Sequence, residues 1–243
     1  MTDMTLKGAI ALVTGASRGI GRAMALELAK AGAHVVATAR TQGGLEELDD
    51  EIRKAGGSSS LVPLDLKDPE GIEKLADIVR QRWGKLDILL HAAGELGRLT
   101  PAAQVSPQAW SDVMSVNLIA GARLIRAFEG LLMEADAPRA VFISSSSAES
   151  RRPYWGPYAA SKAALDALVQ SWAREHKESA LRANLVYPPA MRTAMRYKAY
   201  PGEDQDTLPT PDALWPTISP LLSPDCETTA EIVRYQRLES AST

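Results

Sequence analysis

Ala9-Ile10-Ala11-Leu12-Val13-Thr14-Gly15-Ala16-Ser17-Arg18-Gly19-Ile20-Gly21 is the stretch that decides the fold. Its first six residues are short, apolar and stopped by a glycine, the pattern of a strand covered on both faces. From Ile20 to Ala31, the positions Ile20, Ala23, Met24, Leu26, Leu28 and Ala31 give a helix with a broad apolar face, and Gly32 follows as its C-cap. Between strand and helix lies G-x-x-x-G-x-G. Glycines here permit a tight turn and let backbone N–H groups approach a phosphate, while the helix N-terminus favours the anion. The familiar dinucleotide spacing is G-x-G-x-x-G, and a glycine trio alone is weak evidence. The strand–loop–helix setting gives it weight. Gly15, Ser17, Arg18, Gly19, Ile20 and Gly21 are therefore expected to cradle a dinucleotide pyrophosphate.

Outward from this loop, short β-branched runs alternate with longer helical stretches. Strands are expected at Val35–Ala39, Leu61–Leu66, Leu86–His91, Ala140–Ser144 and Arg182–Tyr187. Helices are expected at Leu45–Lys54, Pro69–Trp83, Pro107–Met133 and Tyr158–His176, with Gly56-Gly57-Ser58-Ser59 breaking the second helix. Such alternation means βαβ crossovers: a doubly wound parallel sheet with helices on both faces. The segment 230–235 reads as a last edge strand. From Pro188 to Pro224 the chain carries eight prolines, so long regular helices are not expected there. That insertion reads either as a substrate-covering segment, near 191–222, or as surface loop.

Composition excludes several classes. Of 243 residues, 45% are hydrophobic and 23% charged, with a formal net charge of −3, so no basic stripe points to nucleic acid. No apolar run reaches the roughly 18 residues of a membrane span, and the N-terminus lacks a secretory pattern. The single cysteine, Cys226, cannot form an internal disulfide. A cytoplasmic enzyme is the expectation. His34 and His176 are isolated, and no His/Cys/Asp cluster has metal-ligand spacing, so no metal is expected.

The end of the second strand speaks to the cofactor. A carboxylate normally meets the ribose 2′-hydroxyl of NAD there, but this strand ends Thr38-Ala39-Arg40, with no acid until Glu46. Arg40 and Arg18 can instead converge on a 2′-phosphate, which favours NADP(H), NADPH over NADH. The duller reading is two solvated arginines. Further on, Tyr158 and Lys162 lie one helical turn apart and share a face. A phenol titrates near pKa 10, and a neighbouring ammonium lowers that value, tuning Tyr158 as a general acid or base. Ser145 ends a buried strand thirteen residues upstream, where parallel sheets place ligands.

Together, Thr14–Gly21, Asp65-Leu66, His91-Ala92-Ala93-Gly94, Asn117, Ser145 and Tyr158/Lys162 resemble the short-chain dehydrogenase/reductase family over roughly residues 8–195. Trp155–Lys162 and Arg192–Arg196 are similar to a proteobacterial subgroup whose substrates are mostly unassigned. The resemblance implies one Rossmann domain over residues 1–243 with a seven-stranded parallel sheet, assembled as a homodimer or homotetramer. It implies that Tyr158 gives a proton to a carbonyl during reduction and Ser145 hydrogen-bonds that oxygen, with Ser146 in reserve. Lys162 would hold the nicotinamide ribose and lower the tyrosine pKa, and Asn117 would keep a proton-relay water. Asp65 and Leu66 would flank the adenine; Ala92, Gly94, Pro188 and Thr193 would line the cofactor cleft. Three departures stand out: His91 replaces asparagine, Pro188-Pro189 replaces Pro-Gly, and Ala230 replaces the leading glycine of the last strand. Trp155 is the best candidate for touching a small-molecule carbonyl or alcohol substrate. The rival reading is a non-catalytic dinucleotide-binding sensor or scaffold; an enoyl reductase is disfavoured by the three-residue gap between tyrosine and lysine.

Overall fold

Strand β1 (Ile10–Thr14) is buried at every position, as a strand flanked on both sides and covered on both faces must be. The structure is a computed structural model that describes residues 5–235. Six more strands join β1: β2 (His34–Ala39), β3 (Ser58–Pro63), β4 (Ile88–His91), β5 (Arg139–Ile143), β6 (Arg182–Tyr187) and β7 (Ile232–Arg234). They form one seven-stranded sheet in the order β3-β2-β1-β4-β5-β6-β7, all parallel.

The pleat divides each central strand between two cores. Ile10 and Leu12 of β1, with Ala140 and Phe142 of β5, face one layer: α3 (Pro69–Trp83), α5 (Ala120–Met133) and α7 (Gly156–Glu175). Ala11, Val13, Val141 and Ile143 face the other: α1 (Gly19–Lys30), α2 (Gln42–Lys54) and α9 (Trp215–Leu222). Strand order reverses between β1 and β4, so a crevice opens beyond their carboxyl ends. Most of the candidate site residues gather at that crevice.

Two expectations need correction. Strand β3 runs Ser58–Pro63, three residues earlier than the apolar run suggested. It is the sheet edge and only partly covered, so serines serve, and His34 anchors it through Ser58 and Ser60 at 2.8 and 3.0 Å. The long helix at 107–133 is three pieces: α4 (Pro107–Met114), a π-helical turn at Ser115–Ile119, and α5. The apolar face runs through the junction, which hides the change of ladder from the sequence. Such turns concentrate at functional positions, and Asn117 sits in this one. A short helix, α6 (Ser147–Ser150), follows β5, and between β6 and β7 come only short helices: α8 (Ala194–Ala199), 3₁₀ turns at Gln205–Thr207 and Pro211–Leu214, and α9. Among the described residues no helix is long and apolar enough to cross a membrane.

Candidate active site

The glycine loop is packed to the limit of its backbone. A Cβ at Gly21 would lie 2.3 Å from the Gly15 carbonyl oxygen, and one at Gly15 would lie 2.8 Å from the Ala93 backbone. Gly15 and Gly19 also have φ of 69° and 57°, which side chains disfavour. No side chain caps α1 behind Arg18, so its first-turn N–H groups stay available to a ligand. Thr14 holds the loop to β4: its Oγ1 accepts the Ala93 N–H at 3.3 Å and bonds His91 Nδ1 at 2.8 Å. The His91 ring is fully buried behind the cleft, and burial, aided by the charge of Lys162, lowers its pKa to about 3. It is a neutral packing group.

The Tyr158–Lys162 pair sits where α7 passes the end of β5. Pro157 near the start of α7 suits a first turn that needs no donor. Tyr158 is only 8% exposed, and its ring meets Trp155 edge-on at 5.6 Å. Lys162 is buried, donates to the Ile143 carbonyl at 2.8 Å, and places Nζ 6.0 Å from the Tyr158 ring centre. Here electrostatics differ from expectation. Burial pushes the Tyr158 pKa up, and a hydrogen bond from Ser145 pulls it partway back. The expected lowering by Lys162 is absent, because removing the phenolate from water outweighs an ammonium at that distance. Burial likewise lowers Lys162 to about 8, opposed by Asp166 one turn further along the helix. Asp166 is itself buried and accepts from the Tyr187 hydroxyl at 2.5 Å.

Of the four consecutive serines, Ser145 is the one whose hydroxyl acts on the Tyr158 phenol; its Oγ accepts the Ser147 N–H at 3.2 Å. Asn117 is fully buried. Its Oδ1 accepts the Glu95 N–H at 2.7 Å, while Nδ2 donates to the Glu95 carbonyl and Ser161 Oγ, each at 2.9 Å. Both amide hydrogens are taken by protein acceptors, so this amide has no donor left for a relay water. It ties the loop after β4 to α7.

One cavity of about 650 Å³ gathers nearly all the candidate residues. Gly15, Ser17, Arg18, Gly19, Ile20, Gly21, Arg40, Asp65, Leu66, Ala92 and Gly94 line it, as do Ser145, Tyr158, Lys162, Pro188 and Thr193. Asn117 alone of the set stands behind the wall. His34 stacks on Trp83 at 5.1 Å and His176 bonds Glu129 at 3.2 Å, so both are packing residues. Among the described residues no metal-ligating cluster exists.

A family model described as short chain dehydrogenase matches residues 9–204. The chain belongs to the short-chain dehydrogenase family. This short-chain dehydrogenase is 38% identical over 223 residues to the uncharacterized oxidoreductase YciK of Escherichia coli K12, covering 90% of this chain and 88% of YciK. It is 34% identical over 192 residues to the 3-oxoacyl-[acyl-carrier-protein] reductase FabG of E. coli, covering 79% and 77% of the two chains. Among solved structures, a putative short chain dehydrogenase of E. coli CFT073 complexed with NADPH superposes with a TM-score of 0.92 at 37% identity, covering 96% of this chain and 99% of that one.

In this short-chain dehydrogenase the far end of the cavity was not legible from spacing. Arg152, Met195 and Lys198 line it beside Trp155. Arg152 donates to the Tyr200 hydroxyl at 3.0 Å, and the Trp155 and Tyr200 rings lie 6.0 Å apart. Thr193 caps α8 by accepting the Arg196 N–H at 3.1 Å, and Glu203 binds Arg196 through two bonds of 2.6 and 2.5 Å. Nothing in the sequence pairs residue 152 with residue 200. The signal for Asp166 was present, as an acid four residues after Lys162, but its burial was not.

Proposed function

We propose that this short-chain dehydrogenase transfers hydride between NADP(H) and a ketone or aldehyde, or the corresponding alcohol, with Tyr158 exchanging the proton. The observation that carries this reading is the convergence of Ser145, Tyr158 and Lys162 on the same cavity as the glycine cradle. The cradle fits a dinucleotide: it leaves no room for a Cβ at Gly15 or Gly21 and presents an uncapped helix N-terminus. When bound, the cofactor supplies the hydride for the carbonyl carbon or accepts it from the alcohol. Tyr158 Oη gives its proton to the carbonyl oxygen, and the Ser145 hydroxyl donates to that oxygen and steadies its growing charge. A phenol whose pKa is raised stays protonated at neutral pH and suits the reductive direction. Lys162 keeps a positive charge beside the phenol as it loses its proton. Segment 191–222, with Met191, Thr193 and Met195 on the cavity wall, covers the substrate. A binding-only role is disfavoured, because nothing in such a role requires the three catalytic side chains to meet.

Arg18 and Arg40 are exposed at the cradle end, and neither pairs with an acid among the described residues. Their role is to hold the 2′-phosphate of NADP(H). Steady-state kinetics test this: kcat/KM for NADPH is expected to exceed that for NADH by about tenfold or more, since charged hydrogen bonds contribute about 1.5–3 kcal/mol. Replacing both arginines by alanine is expected to erase the preference. A native preference for NADH would refute the assignment.

The lysine makes a prediction about pH. Lys162 is charged below about 8 and neutral above it. Since kcat/KM reports groups of the free enzyme, kcat/KM for NADPH is expected to fall as pH rises through about 8. A profile flat to pH 10 would contradict the role of the charge.

A further inference from the structure

The cavity carries unbalanced positive charge at both ends. Arg18 and Arg40 occupy the cradle end; beyond Tyr158 the wall carries Arg152, Arg196 and Lys198. Counting partners separates these three. Arg196 is held by both oxygens of Glu203 and lies over the Tyr200 ring at 3.9 Å. Arg192 of the same segment pairs with Asp206 at 3.2 Å, and Asp204 accepts the Asp206 N–H at 3.0 Å. Glu203, Asp204 and Asp206 are therefore engaged within the segment. Lys198 and Arg152 have no carboxylate within ion-pair distance among the described residues.

Arg152 is instead held by the neutral Tyr200 hydroxyl at 3.0 Å, which fixes the guanidinium at the rim without cancelling its charge. The acid in this part of the wall, Glu95, makes no ion pair among the described residues, and one of its carboxylate oxygens is buried without a hydrogen-bond partner, so it offsets one of these charges and leaves the wall positive. Between the cations and Tyr158 the wall carries Trp155, which stands 5.6 Å from Tyr158 and is backed by Tyr200 at 6.0 Å. A second cavity of about 590 Å³ continues past this end and shares Glu95, Leu96 and Lys198 with the first. The space beyond Tyr158 thus runs past Trp155 to two exposed cations, Arg152, which Tyr200 holds, and Lys198.

We propose that the substrate is a carbonyl compound, or its alcohol, bearing an anionic group that Arg152 and Lys198 hold while the carbonyl meets Tyr158. This rests on the reading of Tyr158 given above. A carboxylate and a phosphate present the same chemistry to these cations, and arginine's fork suits either.

Three aldehydes that share one reacting group test the idea: 4-formylbenzoate, 4-formylphenyl phosphate and methyl 4-formylbenzoate. With NADPH, kcat/KM for the better anion is expected to exceed that for the ester by roughly tenfold, the scale of one charge-assisted hydrogen bond. Whichever anion is better identifies the group. The preference is expected to shrink at high salt, to fall toward unity in Arg152→Gln/Lys198→Gln, and to reverse in Lys198→Glu. The proposal is overturned if the native enzyme uses the ester as well as either anion, or if the preference survives the double substitution. The same compounds titrated calorimetrically into the enzyme–NADP⁺ complex keep the two readings apart. Anion-selective binding without turnover supports the anion site and sinks the role of Tyr158. Turnover without anion selectivity sinks the anion site alone.

Discussion

Tyr158→Phe is expected to lower kcat by about 10²–10⁴-fold, the usual contribution of a positioned general acid, while NADPH affinity changes less than about threefold. The substitution removes one oxygen from a ring that keeps its packing on Trp155. Ser145 keeps its bond from the Ser147 N–H, so the end of β5 need not rearrange. Lys162→Ala provides the contrast. That change deletes a buried ammonium and its 2.8 Å bond to the Ile143 carbonyl, leaving that acceptor without this donor. Both turnover and NADPH affinity are then expected to fall. Rapid-mixing kinetics and fluorescence titration of NADPH distinguish the cases. Equal loss of NADPH binding in the two variants would contradict the division of labour between phenol and ammonium.

Gly21→Ala is expected to have the second large effect, through geometry alone. The added Cβ would sit 2.3 Å from the Gly15 oxygen and 2.7 Å from the Gly15 carbonyl carbon, distances no side chain tolerates. Either the first turn of α1 moves outward or Gly15 moves, and Gly15 is already pressed against Ala93. Over-packing of this kind costs about 1–3 kcal/mol. The displaced turn carries the free N–H donors of the cradle, so NADPH affinity is expected to fall on the order of a hundredfold, about 3 kcal/mol. Gly130→Ala is the control. Gly130 lies in α5 with open space around its missing Cβ, so alanine there is expected to stabilise the helix by up to about 1 kcal/mol. Thermal unfolding and NADPH titration of both variants check the pair. A Gly21→Ala protein that melts and binds like the native chain would show that the loop is not the cradle.

What the sequence showed and what it hid follow from how far each cause reaches along the chain. The central strands were legible because a parallel strand covered on both faces must be a short apolar run, and Leu12, Leu89 and Val141 show it. The cradle was legible because close backbone approach admits only glycine at Gly15 and Gly21. Edge strand β3 was misplaced because an edge needs no apolar cover, so Ser58 and Ser59 read as part of a helix break. The π turn left no mark because one extra residue in the helical ladder does not disturb the apolar stripe. Spacing put Lys162 near Tyr158 but could not weigh burial, which comes from residues far away in sequence and reverses the expected pKa shift. For the same reason Arg152 had no signal. Its partner Tyr200 is 48 residues away, on a different element.

At the centre lies the pairing of hydride transfer at a carbonyl carbon with proton transfer from Tyr158 to its oxygen. Its most direct test is NADPH absorbance in purified enzyme supplied with a panel of ketones and aldehydes, with the product alcohol identified by mass spectrometry. At least one carbonyl is expected to be reduced with one NADPH consumed per alcohol formed, and Tyr158→Phe is expected to abolish the signal. An enzyme that binds NADPH tightly yet reduces no carbonyl, or a Tyr158→Phe variant with native turnover, would contradict it.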